Sequence, residues 1–185
     1  VGLSNFGTTK NNSSQRERGL VYSAASTLGA QCSAQSTTKI ARLELGTYMK
    51  IGVIGSMQFT EKMIEARDAL IALGHDAFLT NLAAPFIGKT DEEKEVIKLA
   101  QKATQDPIRE FWNLMQGADA MLVLNLDKNG VKNYIGGNAL MEIGFAHVLG
   151  QKVFLLNPIP EIQYYKTEIE SVKPVIINGD FSKIV

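Results

Sequence analysis

The sequence predicts an α/β protein built on a doubly wound parallel sheet. Three observations carry that expectation. Short apolar runs recur at Lys50–Gly55 (KIGVIG), 118–125 (ADAMLVLN) and 152–156 (KVFLL), each the length of a buried strand. The segments between them carry helix start and stop signals. Strands and helices alternating at this spacing imply parallel pairing, with helices on both faces of the sheet.

Each element has a local reason. The first strand, 50–55, ends in a glycine turn, and Thr60 is a cap for a helix running through Leu73, with Gly74 as its stop. Residues 76–80 read as the second strand. Thr90-Asp91-Glu92-Glu93 has the form of a capping box, so a helix is expected from there to about Gln105. Asp106-Pro107 starts another, ending near Gly117, because proline is favoured at the first helical position. The third strand follows at 118–125, and Asn138 is then the expected cap of a helix that stops at Gly150. A fourth strand at 152–156, a helix at 162–172 and a fifth strand at 174–178 complete the series. Right-handed crossovers favour a five-stranded, flavodoxin-like (Rossmann-like) order of 2-1-3-4-5. In such a sheet the ligand sits beyond the carboxyl ends of strands one and three, where the strand order reverses. Three loops are expected to meet there: residues 55–58, 81–85 and 126–138.

Residues 1–48 differ from the rest, being rich in Ser, Thr, Asn, Gln, Gly and Ala without a sustained period. The expectation is a disordered or non-native extension followed by a domain over 49–185, with Met49 the natural start. A signal peptide and an organelle transit peptide are the minority readings. The chain of 185 residues is 45% hydrophobic, which suits one domain with a real core. Its formal net charge is zero, and no basic patch argues for a nucleic-acid polymer. No apolar run reaches the ~18 residues of a membrane span. The single cysteine, Cys32, excludes an internal disulfide framework and fits a reducing cytoplasm. Cys32, His75 and His147 are too few for a zinc site, and nothing in the sequence demands a metal or a cofactor.

Glu142 stands out among the polar residues. It is the only formally charged group in the run from Tyr134 to Gly150, among Leu, Met, Ile and Phe and just after a Gly-Gly pair. A carboxylate placed there is costly unless the site uses it. With Asn138 as cap it falls in the first helical turn, where an acid also serves as a helix-dipole partner. Asp119 opens the third strand, and spacing alone favours a polar strand entry after Gly117. Asp127 follows the same strand on the ligand side, in an Asp-Lys-Asn-Gly run that equally suits a plain turn. Gly55-Ser56 allows close backbone approach and offers a hydroxyl to a phosphate or sugar oxygen, without being a P-loop. Gly136-Gly137-Asn138 is a second cradle of that kind.

Together these residues resemble the nucleoside 2-deoxyribosyltransferase family, including its hydrolase branch, the deoxynucleoside 5′-monophosphate N-glycosidases. The likeness rests on Gly55-Ser56 after the first strand, on Ala118-Asp119 opening an apolar strand, and on Gly137-x-x-x-x-Glu142-x-Gly144-x-Ala146, followed by Gly150-x-x-Val153. It implies that the Glu142 carboxylate attacks the anomeric carbon of a 2-deoxyribosyl group, with retention through a glycosyl-enzyme. It implies that Asp119 positions the sugar and assists departure of the base. A small-molecule nucleoside or nucleotide partner is implied, as is a homodimer or larger assembly that completes each site. The chain departs from the pattern at Gln58, where the phosphate-binding branch often has Arg, and at Val53, where an aromatic is frequent. It has no acid in Ile135-Gly136-Gly137-Asn138, where transferases carry one; Thr80, Asn81 and Asn125 are candidate substitutes. Two other readings compete: a non-catalytic nucleotide sensor on the same fold, and a ribonucleotide phosphoribohydrolase.

Overall fold

The computed structural model describes residues 48–185, so the extension expected over 1–48 lies, but for Tyr48, outside the described residues. Five parallel strands form one sheet in the order β2-β1-β3-β4-β5, as the alternation of elements predicts. They are β1 (Lys50–Gly55), β2 (Asp76–Phe78), β3 (Ala120–Leu124), β4 (Lys152–Leu155) and β5 (Val175–Ile176). The central pairing joins β1 to β3, from Ile51 opposite Ala120 to Gly55 opposite Leu124.

Strand periodicity divides the core in two. Met121 and Val123 of β3 face one cluster with Ile54 of β1, while Ala120, Leu122 and Leu124 face the other with Ile51 and Val53. Every residue of β3 is buried, the mark of a strand covered on both faces. One face is covered by α1 (Thr60–Ala72) through Met63, Ala66 and Leu70, together with Ile177 and Ile184 near the carboxyl terminus. The other is covered by α3 (Pro107–Leu114), α4 (Gly137–Val148) and α5 (Lys166–Val172) through Phe111, Ile143 and Ile169. Gly52 is required where β1 passes β3, since a Cβ there would lie 2.6 Å from Met121 Sδ and 2.9 Å from the Phe78 ring.

The remaining helix, α2 (Asp91–Thr104), begins with the expected capping box: Glu93 N–H donates to the Thr90 hydroxyl and Thr90 N–H donates to Glu93. This helix packs on two 3₁₀ turns, Met57–Phe59 and Asn81–Phe86, rather than on the sheet, and among its residues only Lys94 is buried. The Lys94 ammonium is held by Glu61 and by the Gln58 carbonyl.

Several boundaries differ from the expected ones. Thr60 is the first residue of α1, not its cap, because its hydroxyl donates to the Met57 carbonyl of the preceding turn. Gly74 and Gly150 follow α1 and α4 at φ 92° and 71°, the left-handed conformation of a helix stop. β2 ends at Phe78 instead of residue 80, since Thr80 caps the 3₁₀ turn by accepting from Leu82 N–H. The last helix starts at Lys166, not 162, after Tyr165 has been drawn away to donate its hydroxyl to the Ile135 carbonyl. Lys173 ends that helix at φ 54° and Pro174 offers no N–H, which leaves β5 only two residues long. No helix among the described residues is long and apolar enough to cross a membrane.

Asn125 joins the ends of β3 and β4 and is fully buried. Its side-chain amide donates to the carbonyls of Asn157 and Pro158, both at 2.9 Å, and its Oδ1 accepts from Asn157 N–H at 2.9 Å. Asn125→Ala is expected to strand these groups and to destabilise the fold by about 2–3 kcal/mol, read as a lower urea midpoint. A midpoint within error of wild type would show that the clamp contributes nothing.

Candidate functional site

Beyond the carboxyl ends of β1 and β3 lies a cavity of about 200 Å³. Its floor comes from Gly55, Ser56 and Met57 after β1 and from Thr80 and Leu82 after β2. Gly136, Gly137, Asn138 and Glu142 of the α4 start form a second side. α2 closes a third with Lys98, Gln101 and Lys102. Of the residues singled out in the sequence, Gly55, Ser56, Gly137, Asn138 and Glu142 are thus brought together.

The start of α4 is not where the sequence placed it. Gly136, in extended conformation, is the N-cap, and Asn138 is already inside the helix. Glu142 is therefore the sixth helical residue and lies in the second turn, beyond the strongest part of the helix dipole. Tyr134 lies against this N-cap, where a Cβ added to Gly136 would come within 3.3 Å of its ring. No side chain caps α4, so the N–H groups of its first turn remain free to meet a ligand oxygen at the cavity wall.

Glu142 is surrounded by protein yet keeps part of its surface open to the cavity. Burial pushes its carboxyl up to about 8, and the negative charge of Glu110 adds to the shift. No lysine offsets it. Glu110, on α3, was missed in the sequence because it sits on a helix that reads as amphipathic. It is held by three donors: the Thr80 hydroxyl at 2.7 Å, Asn81 N–H at 3.0 Å and the Asn81 amide at 2.9 Å. A Thr-Asn pair after a short strand was the available signal, since such a pair has donors to spare for a carboxylate. Thr80 and Asn81 therefore serve Glu110, and Asn125 serves the β4 end.

Asp119 is not part of this cavity. It stands at the amino end of β3, exposed, where it accepts from Lys50 N–H at 2.6 Å at the opposite edge of the sheet. The reason is strand direction: a residue that opens a parallel strand lies a full strand length from the carboxyl edge. The acidic group whose charge acts on Glu142 is Glu110. Asp127 is also outside the cavity wall; its carboxylate accepts from Asn133 N–H at 2.9 Å and shapes the loop after β3. That loop is further held by reciprocal hydrogen bonds between Lys128 and Val131. Its shape presents Lys128 to the cavity, where the ammonium donates to Ser56 Oγ at 2.8 Å and lies 5.2 Å from the Tyr134 ring centroid.

Among the described residues no group of three or more His, Cys, Asp or Glu is placed to hold a metal ion. Comparison of the chain with protein-family models, curated proteins and solved structures finds no match. What the arrangement offers chemically is a carboxyl whose pKa is raised by burial, open to a small cavity, a second acidic group whose charge acts on it, and lysines among the lining residues.

The raised carboxyl has a consequence for stability. A free glutamate ionises near 4.5 and folded Glu142 near 8, so between these values the folded chain holds the extra proton. Stability contributed by the neutral group is lost as pH rises through that window. Glu142→Gln removes the loss and is expected to gain roughly 2–4 kcal/mol on wild type between about pH 4.5 and 8.5, by urea unfolding at each pH. Parallel stability curves for the two proteins would contradict the burial argument.

Proposed function

We propose that this protein cleaves or exchanges the N-glycosidic bond of a nucleoside or its 5′-monophosphate, with Glu142 as nucleophile. The observation that carries the reading is the position of Glu142: a lone carboxyl of raised pKa, open to a cavity at the β1/β3 edge. The walls suit such a substrate. Leu82, Pro107 and Phe111 supply apolar surface for the flat face of a base, and the free N–H groups of α4 meet sugar or phosphate oxygens.

In this mechanism a Glu142 oxygen forms a bond to the anomeric carbon as the carbon–nitrogen bond breaks. The electron pair leaves with the base nitrogen, which takes up a proton. The resulting glycosyl ester is opened by water in hydrolysis, or by a second base in transfer, with net retention. Attack requires the ionised carboxylate. Burial beside Glu110 disfavours that form in the empty site, and the positive charge developing on the sugar restores it in the transition state, so the same carboxylate also stabilises the oxocarbenium-like centre. Glu110, held by Thr80 and Asn81, is the group whose negative charge acts on the nucleophile.

The test uses the full chain with a panel of ribo- and deoxyribonucleosides and their 5′-monophosphates, with and without a free acceptor base, followed by chromatography. Base release or exchange is expected, and Glu142→Gln is expected to lower it by a factor of about 10³ or more while the protein stays folded. Binding without turnover by wild type would favour a sensor. Full activity of the Glu142→Gln protein would sink the mechanism.

The pH dependence is a second check. Because the carboxylate is the reactive form, kcat/KM is expected to rise with pH along a limb whose apparent pKa is near 8. Glu110→Gln removes the repelling charge, so the limb should move to lower pH. A limb that falls with pH through this range would make Glu142 an acid rather than a nucleophile.

A further inference from the structure

A departing base takes up a proton, and with Glu142 as nucleophile a second group must supply it. On that reading of the site, we propose that Lys128 is this group: its ammonium is the general acid of the first step and its amine the general base of the second. The other acids are not placed for the task. Asp119 stands at the opposite edge of the sheet, and Asp127 lies outside the cavity and accepts from Asn133 N–H. Glu110 is not among the lining residues and accepts from Thr80 and Asn81. Three lysines do line the cavity. Lys98 is paired with Glu95 one turn earlier on α2, and Lys102 is exposed. Lys128 is half-buried and makes no ion pair among the described residues; its ammonium donates to Ser56 Oγ at 2.8 Å and lies 5.2 Å from the Tyr134 ring centroid. These contacts tie it to the end of β1 and to the segment just before α4, the helix that carries Glu142.

The surroundings of Lys128 suit a proton donor. Burial first, and then the charge of Lys98, push its ammonium below the ordinary lysine value, while Glu95 and Asp91 on α2 oppose the shift. An amine so placed releases a proton more readily than one in water. In the first step a proton passes from Lys128 Nζ to a ring nitrogen or carbonyl oxygen of the base, as the carbon–nitrogen bond breaks and a Glu142 oxygen bonds the anomeric carbon. The ammonium and the carboxylate are consumed together and leave a neutral amine, a neutral glycosyl ester and a neutral base. Burial penalises both starting charges, so their joint loss is favoured in this cavity. In the second step the amine takes a proton from the attacking water, or from the N–H of an acceptor base. The ester then opens, and both charges return.

The experiment compares two kinds of leaving group on the full chain. 2′-Deoxyguanosine and its 5′-monophosphate must gain a proton as guanine leaves. Their 7-methyl derivatives already carry a positive ring and release a neutral base without one. Lys128→Met is expected to lower kcat for the unmethylated substrates about 100-fold and to change it less than about threefold for the methylated ones, whose turnover also shows that the site is intact. Lys128→Arg keeps the charge but holds its proton, so the same selective loss is expected. Glu142→Gln should lose both kinds alike. Equal losses on both kinds in the Lys128→Met protein, no loss on either, or recovery of the unmethylated substrates by Lys128→Arg overturns the acid role and leaves Glu142 standing as nucleophile. Turnover of neither kind by wild type overturns both.

Discussion

The parallel pairing of β1 with β3 is the constraint from which the rest of the site follows. These strands lie about seventy residues apart in the chain, yet their register runs unbroken from Ile51 opposite Ala120 to Gly55 opposite Leu124. It is sealed at the amino edge by the Asp119 carboxylate on Lys50 N–H, and Gly52 leaves room beside β1 for the side chains of Met121 and Phe78. Because the register is held, Ser56 leaves β1 beside the loop that leaves β3, and Lys128 can reach it. A slip of one residue would reverse the faces of β1 and put Ile51 and Val53 against the wrong cluster.

Upon that frame the site is an exercise in placing charge where water is scarce. Glu142 is the one acidic residue on α4, and it has Glu110, not a cation, as its charged neighbour. Such a carboxyl is destabilising for the fold and is retained against that cost. Glu110 in contrast is held in place by Thr80 and Asn81. Lysines contributed by α2 and by the loop after β3 line the same cavity. α2 is consequently more than a surface element: it buries almost none of its own side chains, and its contribution is to close the cavity.

Residue by residue, legibility in the sequence followed how local each signal is. The capping box at Thr90 and Glu93, the proline start of α3 and the glycine stops after α1 and α4 act within one helical turn, and all stand as read. The start of α4 was misread by two residues because Asn138 is a good cap in isolation, while the helix begins after Gly136, an N-cap with no capping side chain to mark it. Glu142 was visible because a charge in an apolar helix is anomalous wherever the helix goes. Glu110 was invisible because nothing within α3 distinguishes it from an ordinary exposed glutamate.

The sequence by itself determined the alternation of strands and helices, hence the parallel sheet and its order, because hydrophobic period and capping are properties of neighbouring residues. It also marked Glu142 and the Gly55-Ser56 and Gly137-Asn138 turns as the edge where a ligand would lie. Only the tertiary structure decided which groups share that edge. It sent Asp119 to the far end of its strand and Asp127 into a turn, and it brought Glu110, Lys102 and Lys128 in from separate elements. The physical reason is that proximity across a sheet edge depends on strand direction and register, and neither is a property of any short stretch of chain.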